Sequence, residues 1–304
     1  MGQIESAPFL FQSNPCSSQY YISDIGFKPP LDNRLNLFRT ISTPIFAIAN
    51  HGHLLKEFVR RDIKDRFAGS IAGVLWSLVN PLISICVYLF IFSTVLRIQV
   101  RAEEVGTNSF FIYFLSAFLP WMMFSEAINK STGIIIEHGN LIKKVVFPVE
   151  LLPTETIISA AVLSLAGFFI LLGYLSITGY FSFAWGAICI LAPLFLLFLW
   201  GLCCFLSAIC VFIRDVKEIL GLVMMVWFYG TPIIYPISMV PEGILRGIIS
   251  INPLTVFISS FRQILLEHTL QLSSVGYMLV ISIVTYMAGA WFFVRAKSAF
   301  GDVL

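Results

Sequence analysis

Six stretches of this chain are long, apolar and almost free of charge, and no other feature limits its fold so strongly. They run over about 71–96, 110–128, 157–178, 184–212, 219–235 and 275–294. A bilayer core of about 30 Å takes roughly 20 apolar residues per helix. In hydrocarbon every backbone N–H and C=O must be satisfied inside the protein, so these stretches are expected as helices. The second is broken late by Glu126, and the fifth is short and interrupted by Gly230 and Pro232. Composition agrees, at 58% apolar and 12% charged residues, against about 25% charged in a soluble domain. The expected fold is an all-α membrane protein with six transmembrane helices. A soluble enzyme, a disordered chain and a fibrous repeat are excluded. The net charge of +2 is too weak to suggest a nucleic-acid partner.

An even number of spans puts both termini on one side. The basic residues say which side. Lys28, Arg34, Arg39, Lys56, Arg60, Arg61, Lys64 and Arg66 precede the first span. Lys130, Lys143 and Lys144 follow the second, Arg214 and Lys217 the fourth, and Arg295 and Lys297 the last. Only Arg97, Arg101, Arg246 and Arg262 of the 19 Lys and Arg residues fall on the other face. Both termini are therefore expected in the cytoplasm. Residues 1–50 carry five prolines among scattered charges, with no apolar segment of signal-peptide type, and are expected as a polar cytoplasmic arm. Residues 51–304 form the membrane domain. Five of the six cysteines lie in apolar runs without metal spacing and read as small buried hydrophobes.

Two further segments associate with the membrane without plainly spanning it. From His53 to Phe67, Leu55, Val59 and Ile63 recur at helical spacing, while Lys56, Arg60, Arg61 and Lys64 fall mostly opposite. That pattern predicts an amphipathic interface helix, apolar face in lipid and basic face toward headgroups or a partner. Residues 236–272 are apolar but broken by Pro241, Gly243, Gly247 and Pro253. Two short re-entrant helices between the fifth and sixth spans would fit, if neighbouring helices or a cavity satisfy the broken backbone; a surface-lying loop is the other reading.

The chemistry that is missing narrows function. There is no GxxxxGK[ST] phosphate loop, no HExxH and no GxSxG. Glu126 and Glu155 are the carboxylates nearest lipid, and spans one, four, five and six carry no ionisable group in their interiors. An ion-coupled carrier places such groups in mid-membrane. A membrane-embedded glycosyl- or phosphotransferase also needs acid/base or metal-binding groups, and stays open only as a disfavoured alternative. A passive conduit or a pump driven by another chain remains.

Three separated signatures then carry a resemblance. They are RRDIKDRFAGSIAGVLWSLVNPL at 60–82, LPWMMFSEAINKSTGIIIEHGNLIKKVVFPVELLP at 119–153, and FIRDVKEILGLVMMVWFYGTPIIYP at 212–236 followed by NPLTVFISSFR at 252–262. Together they resemble the membrane subunit of type-2 ABC exporters for polysaccharides, teichoic acids and O-antigens, over residues 50–304. The resemblance implies a homodimer paired with two copies of a soluble ATPase subunit. ATP and Mg would be held by that subunit, and no cofactor by this chain. It implies a substrate that is a glycan or polyol-phosphate polymer, often on a polyprenyl-pyrophosphate lipid, moved across the bacterial inner membrane. A type-2 permease for a small lipid or drug is the alternative within the family.

The resemblance also directs attention to particular residues. The connection after the second span contains Lys143, Lys144, Phe147 and Glu150. A short helix ended near Pro148 would present charges and one aromatic to an ATPase groove, and in the family this loop carries the coupling helix. These charges are expected to face solvent. Arg214 and Asp215, where the fourth span turns into the fifth, could cap both helix ends. Sugars stack their CH faces on aromatic rings, so Tyr88, Phe92, Phe228, Tyr229 and Tyr235 are candidates for a substrate path; the other reading puts these rings in lipid. Arg262 could meet a pyrophosphate, a lipid headgroup or a helix end.

Overall fold

A computed structural model of the chain describes residues 50–66, 76–98, 100–144 and 147–304. The polar arm expected over 1–50, Phe67, and the first residues of the first expected span lie outside the described residues, apart from residue 50. Among the described residues every regular element is helical. In chain order these are α1 (Gly52–Asp65), α2 (Trp76–Leu89, running on as a π-helical turn over Phe90–Val95), α3 (Ala102–Val105), α4 (Phe110–Glu137), α5 (Gly139–Lys144), α6 (Leu151–Ile177), α7 (Ile188–Phe212), α8 (Val216–Tyr229), α9 (Ile244–Ile251), α10 (Pro253–Arg262, running on over Gln263–Glu267), α11 (Leu272–Lys297) and α12 (Phe300–Val303).

By length and composition, the helices among the described residues supply four or five candidate spans against the six expected. Among the described residues four helical stretches are long and apolar enough to cross a membrane: Ala102–Glu137, Leu151–Ile177, Phe183–Phe212 and Leu272–Lys297. Ile244–Ile251 and Pro253–Glu267 make a fifth only if counted as one broken span, because they meet at 74°. The expected fifth span is the 14-residue α8, about 21 Å long at 1.5 Å per residue, and it ends at Gly230–Pro232 instead of running to residue 235. The described part of the expected first span carries Pro81 inside its helix. The expected second span does not stop near residue 128. Helix α4 continues to Glu137 over 28 residues, about 42 Å, so its last turns outrun a bilayer core.

Helix α4 is the axle of the fold. It packs on α6, α7, α8 and α10, and its Tyr113, Phe114, Ala117, Phe124 and Ala127 are fully buried. The closest helix pair is α7 with α11. There a Cβ on Gly289 would fall on the Gly201 carbonyl oxygen, and one on Gly201 would fall on the Thr285 carbonyl. Ser282 Oγ donates to the Leu194 carbonyl across the same seam at 2.9 Å, and the Trp200 and Tyr286 rings lie 4.9 Å apart. Small residues with interhelical hydrogen bonds are how helices associate where lipid is as apolar as the side chains.

Candidate functional site

One end of the bundle gathers the basic residues. Helix α5 follows α4 after a one-residue break and presents Lys143 and Lys144 to the exterior. Phe147 is half-buried, its ring 6.1 Å from that of Phe58 on α1. Glu150 departs from expectation: it does not face solvent. It is 1% exposed, sits at the N-cap position of α6, and accepts from Lys297 Nζ through both carboxylate oxygens, at 2.9 and 3.1 Å. The reason is tertiary. The end of α11 arrives beside the start of α6, and an ammonium there makes a buried carboxylate tolerable. Arg214 and Asp215 lie at the α7–α8 turn, where Asp215 takes the N-cap position without a side-chain cap bond.

Helix α1 forms where the amphipathic pattern placed it, with Lys56, Arg60, Arg61 and Lys64 exposed. Arg60 lies 4.0 Å from Glu57 and Arg61 3.4 Å from Asp65, one turn away on the same helix. Its apolar side meets protein, which differs from the expected lipid contact. Leu55 is buried, Phe58 stands edge-on to His138 with ring centroids 6.2 Å apart, and α1 packs along α6.

Charges between α1 and the bundle are the site residues that sequence reading missed. Asp62 pairs with Lys130, and Arg66 with Glu126. Glu155 on α6 lies 3.9 Å from Lys130 Nζ. The available signal was the spacing: Asp62/Arg66 and Glu126/Lys130 are both i,i+4 pairs with the acidic residue first, which puts each pair on one helix face and makes the two complementary when the helices run antiparallel.

Toward the opposite end the aromatic candidates come together. Tyr88 is half-buried among Phe92, Phe114, Phe118 and Phe228, with ring centroids 6.2, 5.5, 5.6 and 5.3 Å away. Phe228 touches Tyr229 at 5.2 Å, and Tyr235 Oη donates to the Tyr229 carbonyl at 2.8 Å. Tyr229 is exposed and Tyr235 half-buried. The rings therefore line a seam between α2, α4 and α8. Arg262 stands apart from them. It is 6% exposed, donates to Tyr113 Oη at 2.9 Å and the Pro232 carbonyl at 3.2 Å, and its guanidinium lies 3.6 Å from the Tyr113 ring centre. Its geometry serves the backbone freed where α8 breaks at Pro232.

Beside this seam lies a cavity of about 650 Å³ between α8 and α9, lined by Leu222, Val226, Trp227, Tyr235, Leu245 and Ile248 among others. Asn252 closes it at the bend between α9 and α10. Its Oδ1 accepts from Trp227 Nε1 at 2.9 Å and from the Leu254 N–H at 3.1 Å, and its Nδ2 donates to Thr231 Oγ1 at 3.0 Å. Among the described residues no group of three or more His, Cys, Asp or Glu could hold a metal.

The family described as ABC-2 type transporter matches residues 53–266. An O-antigen export system permease protein RfbA of Klebsiella pneumoniae is 28% identical over 254 residues, 83% of this chain and 95% of that protein. A protein of the same name from Myxococcus xanthus is 30% identical over 223 residues, 71% of this chain and 82% of that one.

Proposed function

The chain belongs to the ABC-2 type transporter family, and from that premise we propose that it is the permease subunit of an ATP-driven exporter of O-antigen or a similar glycan. The observation that carries this reading is the similarity to O-antigen export permeases over most of both chains. The substrate is carried on a lipid across the bacterial inner membrane, and both termini are cytoplasmic, as the distribution of Lys and Arg supports. Two copies of this chain work with two copies of a soluble ATPase subunit, which holds ATP and Mg.

The geometry supports a division of labour. Lys143 and Lys144 project from α5, with Phe147 beside them, and form the surface that an ATPase meets. Glu150 acts behind that surface, tying the connection to α11 through Lys297. Helix α1 lies at the cytoplasmic membrane interface with Lys56, Arg60, Arg61 and Lys64 toward headgroups. Helices α2 and α8 complete the layout to six membrane segments, with α9 and α10 re-entrant between the last two. Tyr88, Phe92, Tyr229 and Tyr235, with Phe228 buried behind them, offer a run of ring faces along which a sugar polymer can slide, because stacking contacts are individually weak and similar.

The test is removal of the gene from its own bacterium, with surface glycan and internal lipid-linked glycan both measured. Loss of surface glycan, internal accumulation, and recovery with the wild-type gene are expected. Unchanged surface glycan would refute the assignment.

A further inference from the structure

The charges between α1 and the bundle form a ladder. Across the α1–α4 contact Asp62 pairs with Lys130 and Arg66 with Glu126. The residue order is antiparallel and the signs alternate. A slip of one helical turn would set Asp62 against Glu126, or Arg66 against Lys130, and like charges would meet. The ladder therefore admits one register of α1 on α4.

The lower rung has a second acceptor. Glu155 Oε1 on α6 lies 3.9 Å from the same Lys130 Nζ. The side chains of Asp62, Lys130 and Glu155 are 15%, 16% and 4% exposed. Asp62 Oδ2 and Glu155 Oε2 are both buried with no hydrogen-bond partner among the described residues. A buried carboxylate oxygen without a donor is costly, and one ammonium balances the charge of only one of two carboxylates. Moving Lys130 from Asp62 to Glu155 exchanges one poorly served carboxylate for another of the same chemistry. A second carboxylate within reach of the same ammonium is the alternative arrangement that a two-state element requires.

We propose that this cluster is a releasable latch: during the transport cycle α1 undocks from α4 as Lys130 passes from Asp62 to Glu155. Lys130, Asp62 and Glu155 are then positioning residues, which set where α1 stands relative to the second and third membrane helices. The assignment rests on the exporter reading above. A fixed clamp is the contrary reading, in which α1 never leaves α4.

The test ties the latch shut. In the complete exporter with its ATPase, Arg66→Cys and Glu126→Cys are combined in a background with Cys16, Cys86 and Cys189 replaced by Ser. A bis-methanethiosulfonate reagent, long enough to span the Arg66–Glu126 side-chain pair where a direct disulfide would need Cα atoms within about 7 Å, then joins α1 to α4 reversibly. The latch requires surface glycan export to fall at least tenfold on cross-linking and to return on reduction; export by the cross-linked protein at the reduced rate overturns it. Glu155→Gln keeps the side-chain volume and removes the second acceptor's charge. Export at least tenfold below wild type at matched membrane levels is expected, and wild-type export overturns the latch. A readout free of substrate separates this from failure of the exporter reading. ATP should lower the yield of the 66–126 cross-link at least threefold, whereas an unchanged yield means that α1 stays docked. Inability of the wild-type chain to restore surface glycan counts against the exporter reading alone.

Discussion

The α7–α11 seam and the α8–α9 corner are both made of apolar helices, yet they are assembled by opposite means. At the seam, glycines bring backbones into contact: Gly201 and Gly289 meet, and Cys203, Cys204, Ala290 and Phe293 are fully buried around them. At the corner, Leu222, Val226, Ile244 and Ile248 remain exposed, a cavity separates the helices, and Asn252 with Trp227 and Thr231 makes the polar pin. Side chains of the same apolarity thus give a rigid joint in one place and an open one in the other. Lipid supplies no hydrophobic drive between helices, so what decides is how near the backbones can come and which polar groups bridge them. The tight seam can serve as the frame, while the corner keeps open space around its polar pin.

Five variants would break or sharpen that contrast. The largest effect is expected from Gly289→Leu, since its side chain must enter the space of the Gly201 backbone. Overpacking costs about 1–3 kcal/mol where side chains can yield, and backbone cannot. Little or no folded protein should be recovered in size-exclusion chromatography of detergent extracts. Normal recovery would show that the seam is not rigid.

Next is Lys297→Ala, which strands the buried Glu150. Breaking a buried pair costs about 3 kcal/mol at the low end, the appropriate end because Lys297 is partly exposed. A lower melting temperature is expected, with recovery when Glu150→Gln is added.

Asn252→Ala should cost less, about 1–2 kcal/mol, since it removes hydrogen bonds at a half-buried site. The change should appear as faster proteolysis within 230–253 while the α7–α11 seam melts as before. A drop in melting of the whole protein as large as that of Lys297→Ala would mean that corner and seam unfold together.

The smallest effects on folding should come from Tyr88→Leu with Phe92→Leu, and from charge reversal at Lys143 and Lys144. The ring pair should cost about 1 kcal/mol and lower export more than stability. Reversal at the exposed lysines should leave melting within about 0.5 kcal/mol and lower ATPase stimulation. Wild-type export in the ring variant, or wild-type stimulation in the charge variant, would remove those residues from the proposed roles.

What could be read from sequence differs between the parts of the molecule. Helix α1 was readable because amphipathic spacing is local, and the α9–α10 bend because Pro253 and the nearby glycines interrupt the chain where it breaks. Helix α8 ends six residues before the expected 235: the apolar run continues past the interruption at Gly230 and Pro232, and it is there that the helix stops. Glu150 was misread for the opposite reason. Its neighbours in sequence look like a solvated basic loop, while its partner Lys297 is distant in sequence. Asp62 escaped notice altogether, since its meaning depends on Lys130 across another helix.

The chain by itself determined that long stretches must be helical in lipid, where its basic residues cluster, and which family it belongs to. These follow from composition, short-range spacing and motif order. Only the tertiary structure decided that Glu150 and Asp62 are withdrawn from water, that Lys130 faces two carboxylates, and that Gly201 and Gly289 form the closest joint. The free energy of a charge or a glycine depends on what stands opposite it within a few ångströms, and in a helical bundle that neighbour comes from a different helix.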